Sequence, residues 1–203
     1  MEAKKRALIS VSNKAGIGEF AKKLTELDWE IISTGGTAKV LRAEDIPVID
    51  VAEVTGFPEC FGGRLKTLDP HIFGGILPTK STEDLATMEE LELHRIDLVV
   101  CNLYPFQDTV AKKVSSELTI EQIDIGGPSM LRAAAKNYKN TMVVCDPTDY
   151  PIILDYIEKG KVDDNIRWYL AFKVFEMTAE YDAAIKEYFE LKNPHSNQRE
   201  LLL

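Results

Sequence analysis

Cysteine and basic side chains are scarce in this sequence. Its three cysteines, Cys60, Cys101 and Cys145, lack the spacing of a metal site, so neither a metal cluster nor a disulfide framework is expected. They predict a reduced, cytoplasmic chain in which Cys101 and Cys145 are buried thiols. Only 24 lysine and arginine residues stand against 33 aspartate and glutamate residues, for a net charge of -9. A nucleic-acid surface needs a basic excess, so no nucleic-acid partner is expected.

Long apolar stretches and the common nucleotide-binding motifs are also missing. No stretch has the apolar length of a membrane span, and the N-terminal residues MEAKKRALIS lack the apolar run of a signal peptide, so no membrane partner is expected. The sequence contains no GxxxxGKS/T and no GxGxxG after its first predicted strand. A nucleoside triphosphate or a dinucleotide is therefore a weak candidate ligand.

Short apolar runs alternate with segments of helical periodicity. The runs predict five strands, at residues 6–12, 29–33, 46–51, 96–103 and 141–145. This alternation at short spacing predicts an α/β fold with a mostly parallel central sheet flanked by helices. Residues 52–80 show no clear periodicity and are rich in glycine and proline, and so long an irregular segment is either functional or contains helices or strands that the pattern does not show.

A long helix is predicted near the C-terminus, at about residues 163–190. It carries the large apolar side chains of Trp168, Phe172, Phe175, Tyr181, Ile185 and Phe189. The simplest expectation is that these side chains pack into the core of their own chain, although packing against a partner stays open. The residues after 190 show no periodic pattern and predict a C-terminal tail at 191–203.

Small polar residues and glycines follow several of the predicted strands. In open parallel sheets ligands bind outside the carboxyl ends of the strands, so these residues are expected to meet at one edge. Glycine backbones, helix N-termini, hydroxyls and a lysine together suit a single phosphate on a small molecule. Each loop alone could be a helix cap or a turn, but several at one edge favour a site. The residues are Ser10, Ser12, Lys14, Ser33, Thr34, Gly35, Thr37, Asn102, Tyr104 and the stretch 124–128.

The stretch QIDIGGPSMLRAAAKN has two interpretations. Gly126 and Gly127 would offer free N–H groups at a helix start, and Arg132 and Lys136 would share a helix face. The stretch is either a well-capped helix with a solvated basic stripe, or a catalytic wall that Lys136 reaches from the side opposite an acid. The residue pattern alone leaves both open.

The GRLKTL stretch places Arg64 and Lys66 two residues apart. In an extended segment both side chains would point to the same side and attract an anion. An exposed basic loop on an acidic protein is the alternative interpretation.

Seven motifs occur in one order along the chain: ISVSNKAG, ISTGGTAKVL, VTGFPE, GGRLKTL, GGIL, CNLYPF and IDIGGPSMLRAAAKN. Over residues 6–190 they closely resemble the IMP cyclohydrolase domain of the bifunctional AICAR transformylase/IMP cyclohydrolase family. The resemblance implies a methylglyoxal-synthase-like three-layer fold for residues 1–190 and a homodimer. It implies an enzyme that converts 5-formamidoimidazole-4-carboxamide ribonucleotide (FAICAR) to IMP and water, the last step of de novo purine biosynthesis. The step needs no metal and no cofactor.

The same motifs imply roles for individual residues. Lys66, Tyr104, Asp124 and Lys136 match the positions with catalytic roles in the family. In ring closure the carboxamide nitrogen attacks the formyl carbon, so this nitrogen must lose a proton and the formyl oxygen needs donors before it leaves as water. The substrate-binding positions match Ser10, Ser12, Lys14, Ser33, Thr34, Gly35, Thr37, Arg64, Thr67, Asn102, Ile125, Gly126 and Gly127.

The division of labour follows as a hypothesis. The amides of Gly126 and Gly127 are candidate donors to the oxygen. Asp124 and Lys136 are candidates to shuttle the amide proton. Lys66 and Tyr104 would polarise or protonate the oxygen.

Two departures from the family and two rival functions accompany the resemblance. Asp69 stands where the family more commonly has histidine, with His71 two positions on as a candidate substitute. No transformylase domain follows within the 203 residues, so a stand-alone chain would need a separate formyl-transferring enzyme upstream. The rivals share the fold: a methylglyoxal-synthase-like lyase, for which the three histidines are poorly placed, and a regulatory purine-nucleotide-binding module.

Overall fold

The computed structural model describes residues 4–192 and contains a five-stranded sheet in which every strand runs parallel to its neighbours. The strands lie in the order β3-β2-β1-β4-β5. The predicted α/β fold with a parallel sheet is confirmed. The strands are β1 (Arg6–Val11), β2 (Glu30–Ser33), β3 (Ile49–Asp50), β4 (Leu98–Asn102) and β5 (Met142–Val144).

Helices cover both faces of this sheet. On one face α1 contacts α9, and on the other α8 packs on β4 while α10 packs on α8 and β5. The result is a three-layer arrangement with a long final helix, as the sequence predicts. In the described residues the helices are α1 (Ile17–Glu26), α2 (Gly35–Ala43), α3 (Val51–Thr55), α4 (Pro70–Ile76), α5 (Thr82–Glu90), α6 (Phe106–Ala111), α7 (Ser116–Glu121), α8 (Gly126–Lys136), α9 (Tyr150–Glu158) and α10 (Asp164–Leu191), with short 3-10 turns at Phe61–Gly63 and Pro147–Asp149.

The core is centred on β1 and β4, the two middle strands of the sheet. All five residues of β4 are buried, and Leu8 and Ile9 of β1 are fully shielded from solvent. A parallel strand covered by helices on both faces buries both of its sides, which explains the near-continuous apolar run that predicts β4.

The strand order creates a crevice between β1 and β4. The chain runs outward from β1 through β2 to β3, then returns to place β4 on the other side of β1. In the register of the two strands, Ser10 lies beside Cys101 and Val11 beside Asn102. The loops after β1 and β4 leave in opposite directions, and such a switch point is where open α/β sheets bind ligands.

The third strand is much shorter than predicted. Of residues 46–51 only Ile49–Asp50 pair with β2, and Val51 already begins α3. The cause is a capping box, in which the Asp50 carboxylate accepts from the Ala52 amide and the Glu53 carboxylate accepts from the Asp50 amide. These reciprocal bonds satisfy orphan donors of a helix start and so end the strand.

Residues 52–80 contain helices that their sequence pattern does not show, which is one of the two alternatives for this segment. The segment contains most of α3, a 3-10 turn and all of α4. These elements have five, three and seven residues, too short to show a helical period. Asp69, at the position where the family more commonly has histidine, accepts from the His71 amide at 2.8 Å and caps α4.

The aromatic residues of α10 do not follow the simplest expectation. Trp168, Phe172, Phe175 and Phe189 are 64%, 55%, 43% and 50% exposed, so the expectation that they pack in the core of their own chain is wrong. The buried face is built instead from the smaller residues Leu170, Ala171, Val174 and Thr178, with Tyr188 further along. A helix that is apolar on two sides can cover the sheet with one and still present the other outward.

No helix among residues 4–192 is both long and apolar enough to cross a membrane. Helix α10 ends at Leu191, and residues 193–203 of the predicted C-terminal tail lie outside the described residues.

A partly buried ion cluster joins α10 to the loop after β5 and leads to a first prediction. The Lys173 ammonium donates to Asp146 at 2.8 Å and to Asp149 at 2.6 Å. The bond from Lys173 lowers the pKa of Asp146 to about 2. A carboxyl group with a depressed pKa stabilises the fold above its unfolded-state pKa, and that contribution is lost as the pH falls through the folded-state value.

We therefore expect the free energy of unfolding to decrease between about pH 4 and about pH 2, and Lys173→Met to flatten that dependence. Urea unfolding across this pH range measures it. Lys159→Met is the matched control, because it removes an exposed i,i+4 pair with Asp155. An equal slope in Lys173→Met and the wild type would contradict the assignment.

Candidate active site

A cavity of about 400 Å³ opens at the carboxyl ends of β1, β2 and β4. Its volume lies within the range of small-molecule pockets. It collects all the predicted site residues except Ser33, Gly35 and Lys136. Those that line it are Ser10, Ser12, Lys14, Thr34, Thr37, Arg64, Lys66, Thr67, Asn102, Tyr104, Asp124, Ile125, Gly126 and Gly127.

The loop after β1 is held in place by the side chain of Asn102. The Asn102 Oδ1 atom accepts from the amides of Ser12 at 2.7 Å and Asn13 at 2.8 Å, and its Nδ2 donates to the Asn13 carbonyl at 3.2 Å. Asn102 thus lines the cavity as predicted, and its amide atoms fix the loop that carries Ser12 and Lys14.

The loop after β2 is tied to β1 in the same way. The Thr37 hydroxyl accepts from the Val11 amide at 3.1 Å and donates to the Val11 carbonyl at 3.0 Å. The Ser33 hydroxyl is fully buried and donates to the Ile9 carbonyl at 2.7 Å. The prediction that Ser33 faces the substrate is therefore not supported, because its side chain points between the strands. Gly35 has a φ of 55°. The absence of a side chain there leaves room for the Lys66 ammonium, because a Cβ at position 35 would lie 3.3 Å from the Lys66 Nζ.

Three cations contribute to the cavity. The Lys14 ammonium donates to the carbonyls of Val11 and Ser12. Burial, followed by the nearby charge of Lys66, lowers the pKa of Lys14. The positive charges of the two lysines therefore repel each other within one cavity. An anion bound between them would offset this repulsion. Arg64 is more exposed and lies 3.4 Å from a Glu121 carboxylate oxygen, as the alternative interpretation of GRLKTL expects.

Asp124 is one of two acidic side chains in the lining, and Gly127 holds its carboxylate. The Gly127 amide donates to Asp124 Oδ1 at 2.8 Å. The prediction that this amide is free for a substrate oxygen is wrong, because the carboxylate occupies it. A Cβ at position 127 would lie 2.6 Å from Asp124 Oδ2, so glycine is required for this approach. Burial raises the pKa of Asp124, while the Gly127 bond, the Lys66 charge and the Tyr104 backbone act against the shift.

Tyr104 and Thr67 both line the cavity, but Tyr104 is exposed and Thr67 is buried. Tyr104 is 49% exposed at the mouth of the cavity, where its hydroxyl can approach a bound molecule. Thr67 is buried, and its hydroxyl oxygen would lie 2.8 Å from a Cβ at Gly126. The first turn of α8 therefore packs directly against the GRLKTL segment.

Lys136 lies far from this cavity. It is exposed at the last residue of α8, ten residues along the helix from Gly126. At a rise of ~1.5 Å per residue the two ends of α8 are ~15 Å apart. Lys136 therefore does not reach the cavity of its own chain, and its catalytic role stays a prediction. Its helix neighbour Arg132 lies 5.6 Å from the ring of Phe175, so the basic stripe borders the exposed face of α10.

A second cavity, of about 350 Å³, lies beyond Asn102 and Tyr104, which line both spaces. Its charged lining is acidic, from Asp108, Asp146 and Glu180. Such a lining repels an anion, so the cavity with Lys14 and Lys66 is the candidate active site. No three histidine, cysteine, aspartate or glutamate side chains within residues 4–192 are arranged to hold a metal ion.

Comparisons with known proteins agree with this geometry. The family described as MGS-like domain matches residues 16–129, more than half of the chain. The chain belongs to the MGS-like domain family. A second family, described as AICARFT/IMPCHase bienzyme, matches residues 134–202. These two matches confirm the resemblance seen in the seven sequence motifs.

Relatives of this MGS-like protein include longer chains. "Bifunctional purine biosynthesis protein PurH" of Lactococcus lactis subsp. lactis is 54% identical over 195 residues, which are 95% of this chain and 38% of that protein. PurH of Caldicellulosiruptor saccharolyticus is 53% identical over 92% of this chain and 37% of its own length. The chain thus spans less than two fifths of these relatives. The crystal structure of ForH superposes with a TM-score of 0.80 at 37% identity, covering 92% of this chain and 99% of that one.

Several residues of the MGS-like cavity were not anticipated from the sequence. They are Val11, Gly62, Gly63, Cys101, Glu121, Gln122, Ile123 and Met130. Gly62 and Gly63 belong to the GGRLKTL motif, so that motif could have identified them. Cys101 and Met130 approach through the buried face of the sheet and of α8, which no local signal in the sequence marks. Burial raises the pKa of Cys101 well above its usual value, so its thiol is neutral.

Proposed function

We propose that this chain is an IMP cyclohydrolase that converts FAICAR to IMP and water. The observation that carries the proposal is the presence of Lys14, Lys66 and the half-buried Asp124 in one cavity at the β1–β4 switch point. The similarity to the PurH relatives, which are named as bifunctional purine biosynthesis proteins, supports the proposal independently of the cavity geometry. The cavity offers one region for a phosphate and another for proton transfer.

The phosphate of the substrate would bind between β1 and α2. Ser10, Ser12, Lys14 and Thr34 border this region. The first amides of α2 add a positive partial charge, as helix N-termini do at phosphate sites. Lys14 supplies the positive charge in this region, and the charge of Lys66 acts on it from the neighbouring region.

The reacting atoms would lie between Asp124, Lys66 and Tyr104. Attack of the carboxamide nitrogen on the formyl carbon forms a C–N bond and leaves negative charge on the formyl oxygen. Asp124, whose pKa burial raises, would accept the proton that the nitrogen loses. Lys66 and Tyr104 would donate to the oxygen, which departs as water when the ring double bond forms. Since Gly127 is occupied by Asp124, the backbone donor left in this mechanism is the Gly126 amide.

The two rival functions are weaker for different reasons. A methylglyoxal-synthase-like lyase needs a histidine near its substrate. Among the described residues His71 and His94 lie outside the cavity lining, and His195 lies outside the described residues. A regulatory module would bind a purine nucleotide in the same cavity without converting it, so turnover is the property that separates it from an enzyme.

The test is turnover of FAICAR by purified protein without metal or cofactor, followed by the ultraviolet absorbance of IMP against a control without protein. Formation of IMP above the control supports the cyclohydrolase. Tight IMP binding with no acceleration would overturn it in favour of the regulatory module. Methylglyoxal produced from dihydroxyacetone phosphate would favour the lyase.

We also propose that the protein is a cytoplasmic homodimer, with residues 1–190 as its catalytic domain and 191–203 as a tail. The exposed side chains of Trp168, Phe172 and Phe175 on α10 form what we call the α10 aromatic face. Tyr138 packs edge-on to Trp168 at 5.4 Å, which extends this face onto the end of α8. Exposed apolar surface of this kind is typical of an interaction site, and a second copy is the occupant that the resemblance implies.

This assembly would give Lys136 a place in the reaction. Lys136 shares a helix face with Arg132, which stacks on Phe175, so it borders the α10 aromatic face. We propose that Lys136 acts in the cavity of the other copy. Mixed dimers of Lys66→Ala and Lys136→Ala would then contain one intact site each. Equal mixing with subunit exchange should restore about a quarter of wild-type activity, since half of the dimers are mixed.

The control for this mixing experiment pairs Lys66→Ala with Asp124→Asn. Both residues line the same cavity of one chain, so a mixed dimer has no intact site and should stay inactive. If the Lys66→Ala and Lys136→Ala mixture also stays inactive, Lys136 does not act across the dimer.

A further inference from the structure

The hydroxyl of Tyr181 on α10 is bound to the backbone of the segment that carries Asp124. The Asp124 amide donates to the Tyr181 oxygen at 2.8 Å. The Tyr181 hydroxyl in turn donates to the carbonyl of Gln122 at 3.3 Å. One side chain therefore satisfies two backbone groups of the short link between α7 and α8, a stretch with no helical or strand partner of its own.

Asp124 is thereby held at both of its ends. Tyr181 holds its amide, and Gly127 holds its carboxylate at 2.8 Å. Loss of either hold would let the carboxylate rotate or shift. Proton transfer to a positioned base needs heavy atoms within hydrogen-bond reach, and a displacement of about 1 Å can cost ~10²-fold in rate. We infer that Tyr181 is a positioning residue for ring closure, which acts by fixing Asp124; the inference rests on the proposed function.

Tyr181 acts on the site through Asp124 and not by touching a ligand. It does not line the candidate active site, although it borders the neighbouring cavity. Its ring packs edge-on to the buried Phe106 at 6.2 Å, which fixes the direction of the hydroxyl. Because α10 also packs on α8 and β5, the hydroxyl connects the body of the fold to the acid of the site.

The same helix offers a matched control in Tyr188. Its ring also packs edge-on to Phe106, at 5.7 Å, and is buried. Its hydroxyl contacts the side chains of Ser116 and Thr119 of α7. Tyr188→Phe therefore removes the same atom from the same helix as Tyr181→Phe and leaves the same ring on the same neighbour. The two variants differ in the segment that loses a hydroxyl contact, which is the Asp124 segment in Tyr181→Phe and α7 in Tyr188→Phe.

The experiment compares wild type, Tyr181→Phe and Tyr188→Phe in FAICAR turnover and in amide hydrogen exchange of residues 122–127. We expect Tyr181→Phe to lose ~10- to 100-fold in kcat with little change in KM, because the substrate contacts remain while the base is misplaced. Exchange of the Asp124 amide should be faster in this variant, since its acceptor is gone. Tyr188→Phe should match the wild type in both measurements.

The pH dependence of kcat distinguishes a positioning role of Tyr181 from a general loss of stability. Asp124 faces Lys66 from the GRLKTL segment, Cys101 from β4 and Tyr181 from α10. Burial keeps its pKa high, so a loosened carboxylate that gains water should move the acid limb of kcat to lower pH. The limb should not move in Tyr188→Phe.

Two results would overturn the inference: wild-type kcat in Tyr181→Phe, or an equal loss of kcat in Tyr188→Phe. Absence of FAICAR turnover in the wild type would instead refute the proposed function. In that case the exchange measurement still decides whether Tyr181 holds the Asp124 segment, so the two failures can be told apart.

Discussion

Lys66→Ala is expected to lower kcat for conversion of FAICAR to IMP by ~10²- to 10⁴-fold, the range measured for removal of a general acid or base. The Lys66 ammonium lies beside Gly35 and within the electrostatic reach of both Lys14 and Asp124. No other ammonium group of the cavity can replace it near Asp124, since Lys14 is bonded to the carbonyls of its own loop. Initial-rate measurements at saturating FAICAR determine the loss.

Two further variants separate the roles that Lys66 could have. Lys22→Ala, on the exposed side of α1, is the control and should keep wild-type kcat. Lys66→Arg keeps the charge but cannot give up a proton at neutral pH, so it should recover little activity if Lys66 is an acid. The pKa of Lys14 should rise towards its usual value in Lys66→Ala, because the charge of Lys66 helps to lower it. A Lys66→Ala enzyme within about threefold of wild-type kcat would refute the role.

Phe172→Asp is expected to weaken the proposed dimer by ~10²-fold or more, because an unpaired carboxylate would be buried at the centre of the α10 aromatic face. Phe172 is 55% exposed in the single chain, so its own fold should tolerate the change. Sedimentation equilibrium or light scattering over a concentration series measures the dissociation constant.

The matched control for this variant is Ile152→Asp. Ile152 is 51% exposed on α9, which packs with α1 rather than with α10. It should leave the dimer intact. If Phe172→Asp associates as tightly as Ile152→Asp, the α10 aromatic face is not the interface. A monomeric Phe172→Asp that keeps full turnover would show that Lys136 does not need a second copy.

The sequence predicts the middle of the sheet well because burial there is symmetrical. A strand with helices on both faces must be apolar at every position, and the run around β4 shows this without any knowledge of its neighbours. The edge strand β3 is different. Its apolar residues resemble a strand, while the Asp50 and Glu53 side chains form a helix cap that ends it. The capping residues are visible in the sequence, but the apolar run around them predicts a longer strand.

The sequence predicts which loops form the site, but it predicts the positions of individual side chains and amides less well. Motif order identifies which segments meet, and most of the predicted residues line one cavity. It does not predict where the Ser33 side chain points, because that depends on the pleat of β2. It also does not predict the distance between the two ends of α8, which keeps Lys136 out of the cavity of its own chain. It also cannot show that the Gly127 amide binds Asp124, because that contact forms only when the turn before α8 closes.

The Asn102 side chain has a thermodynamic consequence for ligand binding. Its three hydrogen bonds to the loop after β1 are made within the protein itself, so they hold this loop without any contribution from a ligand. A flexible loop would lose conformational entropy on closing around a phosphate, and that loss would weaken binding. Here the ordering is already complete when the chain folds, so the site is preorganised. The entropy of loop ordering is therefore part of the folding free energy and not of the substrate's dissociation constant.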